Sequence, residues 1–281
     1  MMNKIITSAI TAISVAAGAD FSSIAGEMQR EQVWHAGEGG VNAEKVTIQY
    51  FMPENKNGTA LLICPGGGYG CLCDSYEGTD IAKWLTRYGI TCIVLRYRVG
   101  SELKTCPLND AAQAMCIIRK NAAKYGIAPD RIGVIGFSAG GHLASSLATH
   151  YKDFPGSRPD FQILIYPVIT MLDNTHAGSR NNFLGTNASE QDKIRFSNEK
   201  QVSSTDCMAF VCHAVTDQVV PVINSRNYVE ALKQHNIPVE YLELPSGAHG
   251  LGCGHSPEWE AWQTACLAWL QKNKLADIHS K

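Results

Sequence analysis

The chain contains 281 residues, of which 45% are hydrophobic and 18% are charged, and its formal net charge is −2 at pH 7. This length suits one large domain or two small ones and is ample to bury a sizeable core. Because the charge is nearly balanced and no block of like charge occurs, we expect neither nucleic acid nor a membrane surface as a partner.

The amino terminus has the layout of a secretory signal peptide. A short basic start is followed by residues 5–17, which carry no charge, and by an Ala-Gly-Ala pattern that ends at Ala19. This pattern predicts cleavage after Ala19, with a second cleavage point after Ala25. The sequence therefore predicts a signal peptide over 1–19, a single mature domain over 20–281 and a secreted or periplasmic protein. The alternative is an N-terminal helix that stays in the fold of a cytoplasmic protein.

Predicted strands and helices alternate along the rest of the chain. Short apolar runs predict strands at 46–51, 60–64, 90–97, 131–137, 161–166, 209–213 and 239–244. Helical spacing of apolar residues predicts helices at 80–88, 110–124, 139–149, 222–235 and 257–271. This alternation is typical of an α/β fold with a mostly parallel central sheet and helices on both faces. Since ligands bind at the carboxyl ends of such strands, functional residues should directly follow strands.

One long segment, residues 170–204, shows no clear strand or helix period. A long irregular segment inside a compact domain is commonly a functional loop. We therefore expect a loop or lid that folds over the site. The alternative is a surface segment that has no role at the site.

The ten cysteines do not have the spacing of a metal site or of a small disulfide scaffold. Several lie inside apolar strand or helix patterns, where cysteine behaves as a small buried hydrophobe. Cys71 and Cys73 are too close together for the usual zinc spacings. We therefore expect no metal and no cofactor. A disulfide between Cys71 or Cys73 and a loop cysteine is left open, because an oxidising compartment would permit it.

Ser138 stands at the centre of a G-x-S-x-G motif between an apolar predicted strand and a predicted helix of small residues. This context is that of a nucleophile elbow, a sharp turn that raises a serine hydroxyl above the sheet. Gly136 and Gly140 leave room for the chain to close so tightly. The alternative is that the motif occurs by chance and that the serine only caps the helix that follows. The flanking strand and helix favour the nucleophile.

A serine nucleophile needs a histidine base and an acid to orient that base. In hydrolases with a nucleophile elbow, the acid (Asp or Glu) follows the serine in the chain, and the histidine follows the acid. Asp217 follows the predicted strand 209–213, and His249 follows the predicted strand 239–244 within a glycine-flanked loop. We predict Ser138, Asp217 and His249 as the catalytic triad.

Other acids and histidines are weaker candidates for these roles. Asp206 precedes its strand and Asp110 precedes the serine, while His213 and His142 are predicted to pack within a strand and a helix. His255 is the best substitute base.

Ester cleavage also requires hydrogen-bond donors for the developing oxyanion. The backbone N–H of Ala139, the residue after the nucleophile, is one predicted donor. The second should follow an early strand, where Pro65 opens a run of three glycines. We assign Gly67 and Gly68 there. Neither a P-loop nor a complete dinucleotide fingerprint accounts for this loop.

Together these motifs resemble a bacterial α/β-hydrolase family of carbohydrate esterases, similar to acetylxylan esterases and feruloyl-esterase-like proteins. The resemblance covers roughly residues 44–270 and is carried by residues 65–70, 136–141, 197–202, 217–221 and 247–250. It implies an α/β-hydrolase fold, the same triad and the same oxyanion donors. The chain departs from the family pattern at Gln218, where relatives often carry a second acidic residue. Pro65 replaces the histidine of many lipases.

The resemblance implies hydrolysis of a small ester or an acylated carbohydrate, with acetylated xylan as the expected substrate. A feruloyl or general short-chain esterase is the first alternative, and a small serine peptidase of the same fold is the second. A glycosidase would need two facing carboxylates, which the predicted strand ends do not supply. A non-catalytic binding protein is the alternative from a different class.

Overall fold

An eight-stranded sheet forms the centre of the protein in a computed structural model that describes residues 26–250, 252 and 256–277. The predicted signal peptide and the substitute base His255 lie outside the described residues. The strand order is β1-β2-β4-β3-β5-β6-β7-β8. Strands β3 to β8 run parallel, whereas β2 is antiparallel to both β1 and β4. The strands are β1 (Gly26–Gln32), β2 (Thr47–Met52), β3 (Ala60–Cys64), β4 (Thr91–Arg96), β5 (Ile132–Phe137), β6 (Phe161–Ile165), β7 (Met208–Ala214) and β8 (Val239–Leu244).

Seven of these strands coincide with predicted strands to within one residue at each end. Strand β1 is an addition that the sequence analysis does not predict. Its side chains are polar and mostly exposed, and it pairs with β2 through the backbone at the edge of the sheet. An edge strand buries little side-chain surface, so it carries no apolar pattern that marks it in the sequence.

Helices cover both faces of the sheet, as predicted. They are α1 (Asp80–Leu85), α2 (Cys106–Lys120), α3 (Ala122–Tyr125), α4 (Ala139–His150), α5 (Ala177–Leu184), α6 (Glu190–Arg195), α7 (Ile223–Gln234) and α8 (Pro257–Lys272). Helices α1 and α8 bury their apolar residues in one core layer, and α2, α4 and α7 bury theirs in the other. Helix α2 begins four residues before the predicted start, with Pro107 in its first turn, where proline is well tolerated.

The segment 170–204 is more regular than its sequence suggests, because it contains α5, α6 and a short 3₁₀ turn. It is attached to the helix that follows the elbow. Asn198 is fully buried, and its amide donates to the backbone oxygen of His142 (3.1 Å) and to the hydroxyl of Ser145 (2.7 Å). The hydroxyl of Ser197 accepts the N–H of Met171 (2.8 Å). The segment is thus packed onto α4, and its closure as a lid stays a prediction.

No helix in the described part of the chain has the length and apolar character needed to cross a bilayer. The nine described cysteines are all free thiols. Cys64, Cys92, Cys207, Cys212 and Cys266 are buried, in keeping with their apolar surroundings.

Candidate active site

Ser138 occupies a sharp turn between β5 and α4, at the carboxyl ends of the parallel strands. Its backbone has φ 52° and ψ −119°, a conformation that is strained for a side-chain-bearing residue. The surroundings enforce it, since a Cβ atom on Gly140 would lie 2.0 Å from the backbone oxygen of Cys64 and one on Gly136 would lie 2.1 Å from that of Gly140. The turn therefore requires glycine on both sides of the serine.

The three predicted triad residues meet in one hydrogen-bonded row. The hydroxyl oxygen of Ser138 lies 2.8 Å from Nε2 of His249, and Nδ1 of His249 lies 2.7 Å from Oδ2 of Asp217. Because an ionised carboxylate can only accept, Nδ1 carries the proton and Nε2 is left to accept the serine hydroxyl. This is the arrangement needed to activate a serine.

Asp217 is held by more donors than the histidine alone. Its Oδ1 accepts the backbone N–H groups of Val219 (2.8 Å) and Val220 (3.0 Å), and its Oδ2 also lies 3.2 Å from Nε2 of His213. Burial alone would raise the pKa of Asp217, but hydrogen bonds from His213 and His249 and from the backbone hold it well below its ordinary value. The carboxylate is therefore ionised wherever His249 acts as a base.

A turn of bare backbone amides lines the same cavity as Ser138. Gly67 and Gly68 have φ of 122° and 63°, and a Cβ atom on Gly67 would lie 2.3 Å from the backbone oxygen of Cys71. The N–H groups of Gly67, Gly68 and Ala139 donate to no other described residue. Three unused donors beside a nucleophile can hold an oxyanion.

The glycine loop, residues 65–70, is fixed to α4 by a buried tyrosine. The hydroxyl of Tyr69 lies 2.8 Å from Nδ1 of His142, whose Nε2 lies 2.8 Å from the backbone oxygen of Phe196. Since that oxygen can only accept, His142 donates through Nε2 and accepts the tyrosine hydroxyl through Nδ1. Burial lowers the pKa of His142 to about 4, so the ring stays neutral and packed, as predicted.

A cavity of about 180 Å³ opens onto the triad. Besides the glycine loop and the triad serine and histidine, it is lined by Cys73, Tyr76, Glu77, His176 and Val219. His176 comes from the segment 170–204 and caps α5, where its Nδ1 accepts the N–H of Ser179 (3.2 Å). Burial and the nearby His249 lower the pKa of His176. The ring is therefore neutral, and because Nδ1 accepts the N–H of Ser179, its proton lies on Nε2.

The weaker candidates lie elsewhere or have other partners. Asp206 precedes β7 and accepts from the N–H (3.1 Å) and hydroxyl (2.8 Å) of Ser203. Asp110 is fully buried in an ion pair with Arg98 at 2.6 Å, in the second turn of α2 and not at its start. His213 lies within β7, as predicted, but it also supports the triad carboxylate.

Glu77, His176 and the contact of His213 with Asp217 are the site features that the sequence analysis misses. Glu77 and Tyr166 are hydrogen-bonded although 89 positions separate them in the chain. A local sequence pattern cannot predict such a contact. His176 carries one local signal, since it precedes a short helix at the N-cap position.

Residues 62–252 match a protein family described as having the alpha/beta hydrolase fold. The chain belongs to this family.

The chain is similar to several named proteins, two in sequence and one in structure. The chain is 36% identical over 217 residues to an acetylxylan esterase of Xylanibacter ruminicola, an alignment that covers 75% of this chain and 44% of that protein. It is 35% identical over 250 residues to endo-1,4-beta-xylanase B of Butyrivibrio fibrisolvens, covering 83% and 39%. The crystal structure of an acetyl ester-xyloside bifunctional hydrolase from Caldicellulosiruptor lactoaceticus superimposes with a TM-score of 0.84 at 32% identity, covering 90% of this chain and 99% of that one. The chain spans less than half the length of the first two relatives.

Proposed function

We propose that this protein is a serine carboxylic-ester hydrolase that removes acetyl groups from acetylated xylan or its oligosaccharides. The observation that carries the proposal is the hydrogen-bonded row of Ser138, His249 and Asp217 beside the unused amides of the glycine loop. The substrate class is supported by the names of the acetylxylan esterase and the acetyl ester-xyloside hydrolase to which the chain is similar.

The reaction follows from the positions of the atoms. Nε2 of His249 takes the proton of Ser138 as the serine oxygen attacks the ester carbonyl, and Asp217 stabilises the imidazolium. The oxyanion accepts from the N–H groups of the glycine loop and Ala139. His249 then gives this proton to the oxygen of the departing sugar as its bond to the carbonyl carbon breaks, so the sugar leaves with a free hydroxyl. Water, with His249 again as base, hydrolyses the acyl-serine and releases the acid.

The size of the cavity favours a small acyl group. Its volume, about 180 Å³, is well below the roughly 300–1,000 Å³ of pockets that hold drug-sized ligands. An acetyl group fits such a space more readily than a feruloyl group. We therefore place acetyl esters ahead of feruloyl esters among the expected substrates.

Ester hydrolysis is also favoured over glycoside hydrolysis, although two of the similar proteins are named for xylan or xyloside cleavage. A glycosidase of the common type uses two carboxyl groups on opposite sides of the bond. Among the described residues that line the cavity, Glu77 is the one acid, and both of its oxygens accept hydrogen bonds.

The test is acid release from acetylated and feruloylated xylans, identified by mass, with p-nitrophenyl acetate, a p-nitrophenyl xyloside and an aminoacyl amide as comparison substrates. We expect acetate as the main product and a loss of about 10⁶-fold in kcat for Ser138→Ala. Ser204→Ala, at an exposed serine away from the cavity, is the matched control. Retained acetyl-ester turnover in Ser138→Ala, or xyloside cleavage without acetate release, would overturn the proposal. Export of the protein, inferred from residues 1–19, is a separate prediction.

A further inference from the structure

Glu77 is a buried carboxyl group inside the cavity that the proposed mechanism does not use. It lies in a π-helical turn, Ser75–Thr79, and only 2% of its surface is exposed. Turns of this type are rare and are frequent at functional sites. A carboxyl group is costly to bury unless hydrogen bonds compensate the loss of water. Its contacts therefore indicate what it does.

Both oxygens of Glu77 accept hydrogen bonds from elements that surround the serine. Oε2 accepts the backbone N–H of Gly66 at 2.7 Å, and Oε1 accepts the hydroxyl of Tyr166 at 2.8 Å. Gly66 directly precedes the proposed oxyanion donors, and a Cβ atom on it would lie 3.0 Å from Cβ of Ser138. One carboxylate oxygen thus fixes the start of the glycine loop against the elbow.

The other oxygen reaches the base through Tyr166. The hydroxyl of Tyr166 donates to Glu77 and accepts the N–H of Gly252 at 2.7 Å. The ring of Tyr166 packs against the imidazole of His249, with centroids 5.0 Å apart and planes at 62°. The tyrosine therefore contacts the histidine ring and a backbone position three residues beyond it.

We propose that Glu77 is a positioning residue for the proposed ester hydrolysis, on which this inference rests. It holds the glycine loop directly, and the histidine and its turn through Tyr166, at fixed places around Ser138. Misplacement of reacting groups by about 1 Å can cost 10²-fold in rate. A residue that fixes the oxyanion donors and the base together should therefore affect kcat strongly while leaving substrate affinity nearly unchanged.

The charge of Glu77 adds a second consequence. Burial raises the pKa of Glu77, while its two hydrogen bonds and the charge of His249 oppose that rise. Both partners of Glu77 act as donors, which suits the ionised form. The titratable groups around His249 in the described residues are Asp217, Glu77, His176, Tyr166, Tyr76 and Cys73. Loss of a negative charge there disfavours the positively charged form of the His249 imidazole.

The experiment compares Glu77→Gln, Tyr166→Phe and the double variant with the wild type on p-nitrophenyl acetate. We expect Glu77→Gln to lower kcat at least tenfold with KM within about threefold, and to move the acidic limb of the kcat/KM profile to lower pH. Tyr166→Phe should lower kcat less. The double variant should lose less than the product of the single losses, because the two side chains act as one unit.

Asp206→Asn is the matched control. Asp206 is also a buried carboxyl group with two donors and with a pKa raised by burial, but it lies at the opposite end of the sheet. It should leave kcat and the pH profile unchanged. A folded Glu77→Gln enzyme with kcat within threefold of the wild type and an unmoved acidic limb would overturn the proposal. An equal loss of kcat in Asp206→Asn would also do so.

The design separates this inference from the proposed function. If the wild type hydrolyses no ester, the proposed function fails, and the rate at which a fluorophosphonate labels Ser138 still reports the geometry that Glu77 maintains. If Glu77→Gln does not fold, Tyr166→Phe tests the same connection, and an unchanged kcat in that variant would overturn it.

Discussion

The proposed nucleophile and the proposed base are held by two very different parts of the molecule. Ser138 lies between a buried strand and a buried helix, where glycines pack against backbone oxygens. His249 lies on the histidine turn, residues 246–250, whose residues are exposed or half-buried. A Cβ atom on Gly250 would meet no described atom within 4 Å.

This contrast indicates how each residue is positioned. Backbone sterics fix the position of the serine. The histidine depends on side-chain hydrogen bonds: its ring donates to the carboxylate of Asp217, and the hydroxyl of Thr216 both donates to and accepts from the backbone of Gly247. Changes at the elbow should therefore damage the fold, whereas changes around the histidine turn should damage catalysis in a folded protein.

The largest effect should come from a methyl group added to the elbow. In Gly140→Ala the new Cβ would lie 2.0 Å from a backbone oxygen that cannot move without displacing β3. We expect loss of soluble, cooperatively folding protein, measured by expression yield and thermal unfolding. Gly250→Ala is the matched control. It meets open space but has φ +76°, so it should fold with a cost of about 1–2 kcal/mol. Equal stability of the two variants would contradict the contrast.

The next effect concerns Asp217, the acid that holds the histidine ring. Asp217→Asn keeps the shape of the side chain but can present an amide N–H to Nδ1 of His249, which favours the wrong tautomer. We expect kcat for acetyl esters to fall by about 10⁴-fold while the circular dichroism spectrum stays that of the wild type. A loss of less than tenfold would show that the base does not need this partner.

The pH dependence of stability tests the same carboxylate in the absence of substrate. Hydrogen bonds keep the pKa of Asp217 below its ordinary value, so its contribution to stability is present above about pH 3.9, the pKa in an unfolded chain. That contribution, roughly 2 kcal/mol, is lost as the pH falls toward the folded-state pKa. Denaturant unfolding of wild type and Asp217→Asn should therefore differ most near neutral pH and converge below pH 3. A difference in unfolding free energy that does not change with pH would contradict a stabilising role for the ionised Asp217 carboxylate.

The strongest features of the site are predictable because they are local. The nucleophile elbow needs a serine with glycines two positions away, between an apolar strand and a helix of small residues. All of these residues are neighbours in the chain, so the sequence shows the whole motif. Asp217 and His249 each follow a predicted strand, at 209–213 and 239–244, so the parallel sheet brings their loops to one edge. The same logic places the glycine loop after β3.

The features that escape prediction depend on contacts between distant segments or on weak patterns. Glu77 gains its place from Gly66 and Tyr166, which no local pattern links to it. Strand β1 is polar because it lies at the edge. Helix α6 does carry a signal, since Ser189 accepts the N–H of Asp192 in a capping arrangement, but its six residues are too few to show an apolar period.

The smallest effect should come from the anchor of the histidine turn. The hydroxyl of Thr216 donates to the backbone oxygen of Gly247 (3.0 Å) and accepts its N–H (2.9 Å). Thr216→Val keeps the shape and removes both bonds. Because these groups are exposed, water can replace the hydroxyl, and the activation free energy should rise by only about 0.5–1.5 kcal/mol. We expect kcat to fall roughly two- to tenfold without a change in thermal unfolding. A loss as large as that of Asp217→Asn would mean that the turn, and not the carboxylate, determines the position of His249.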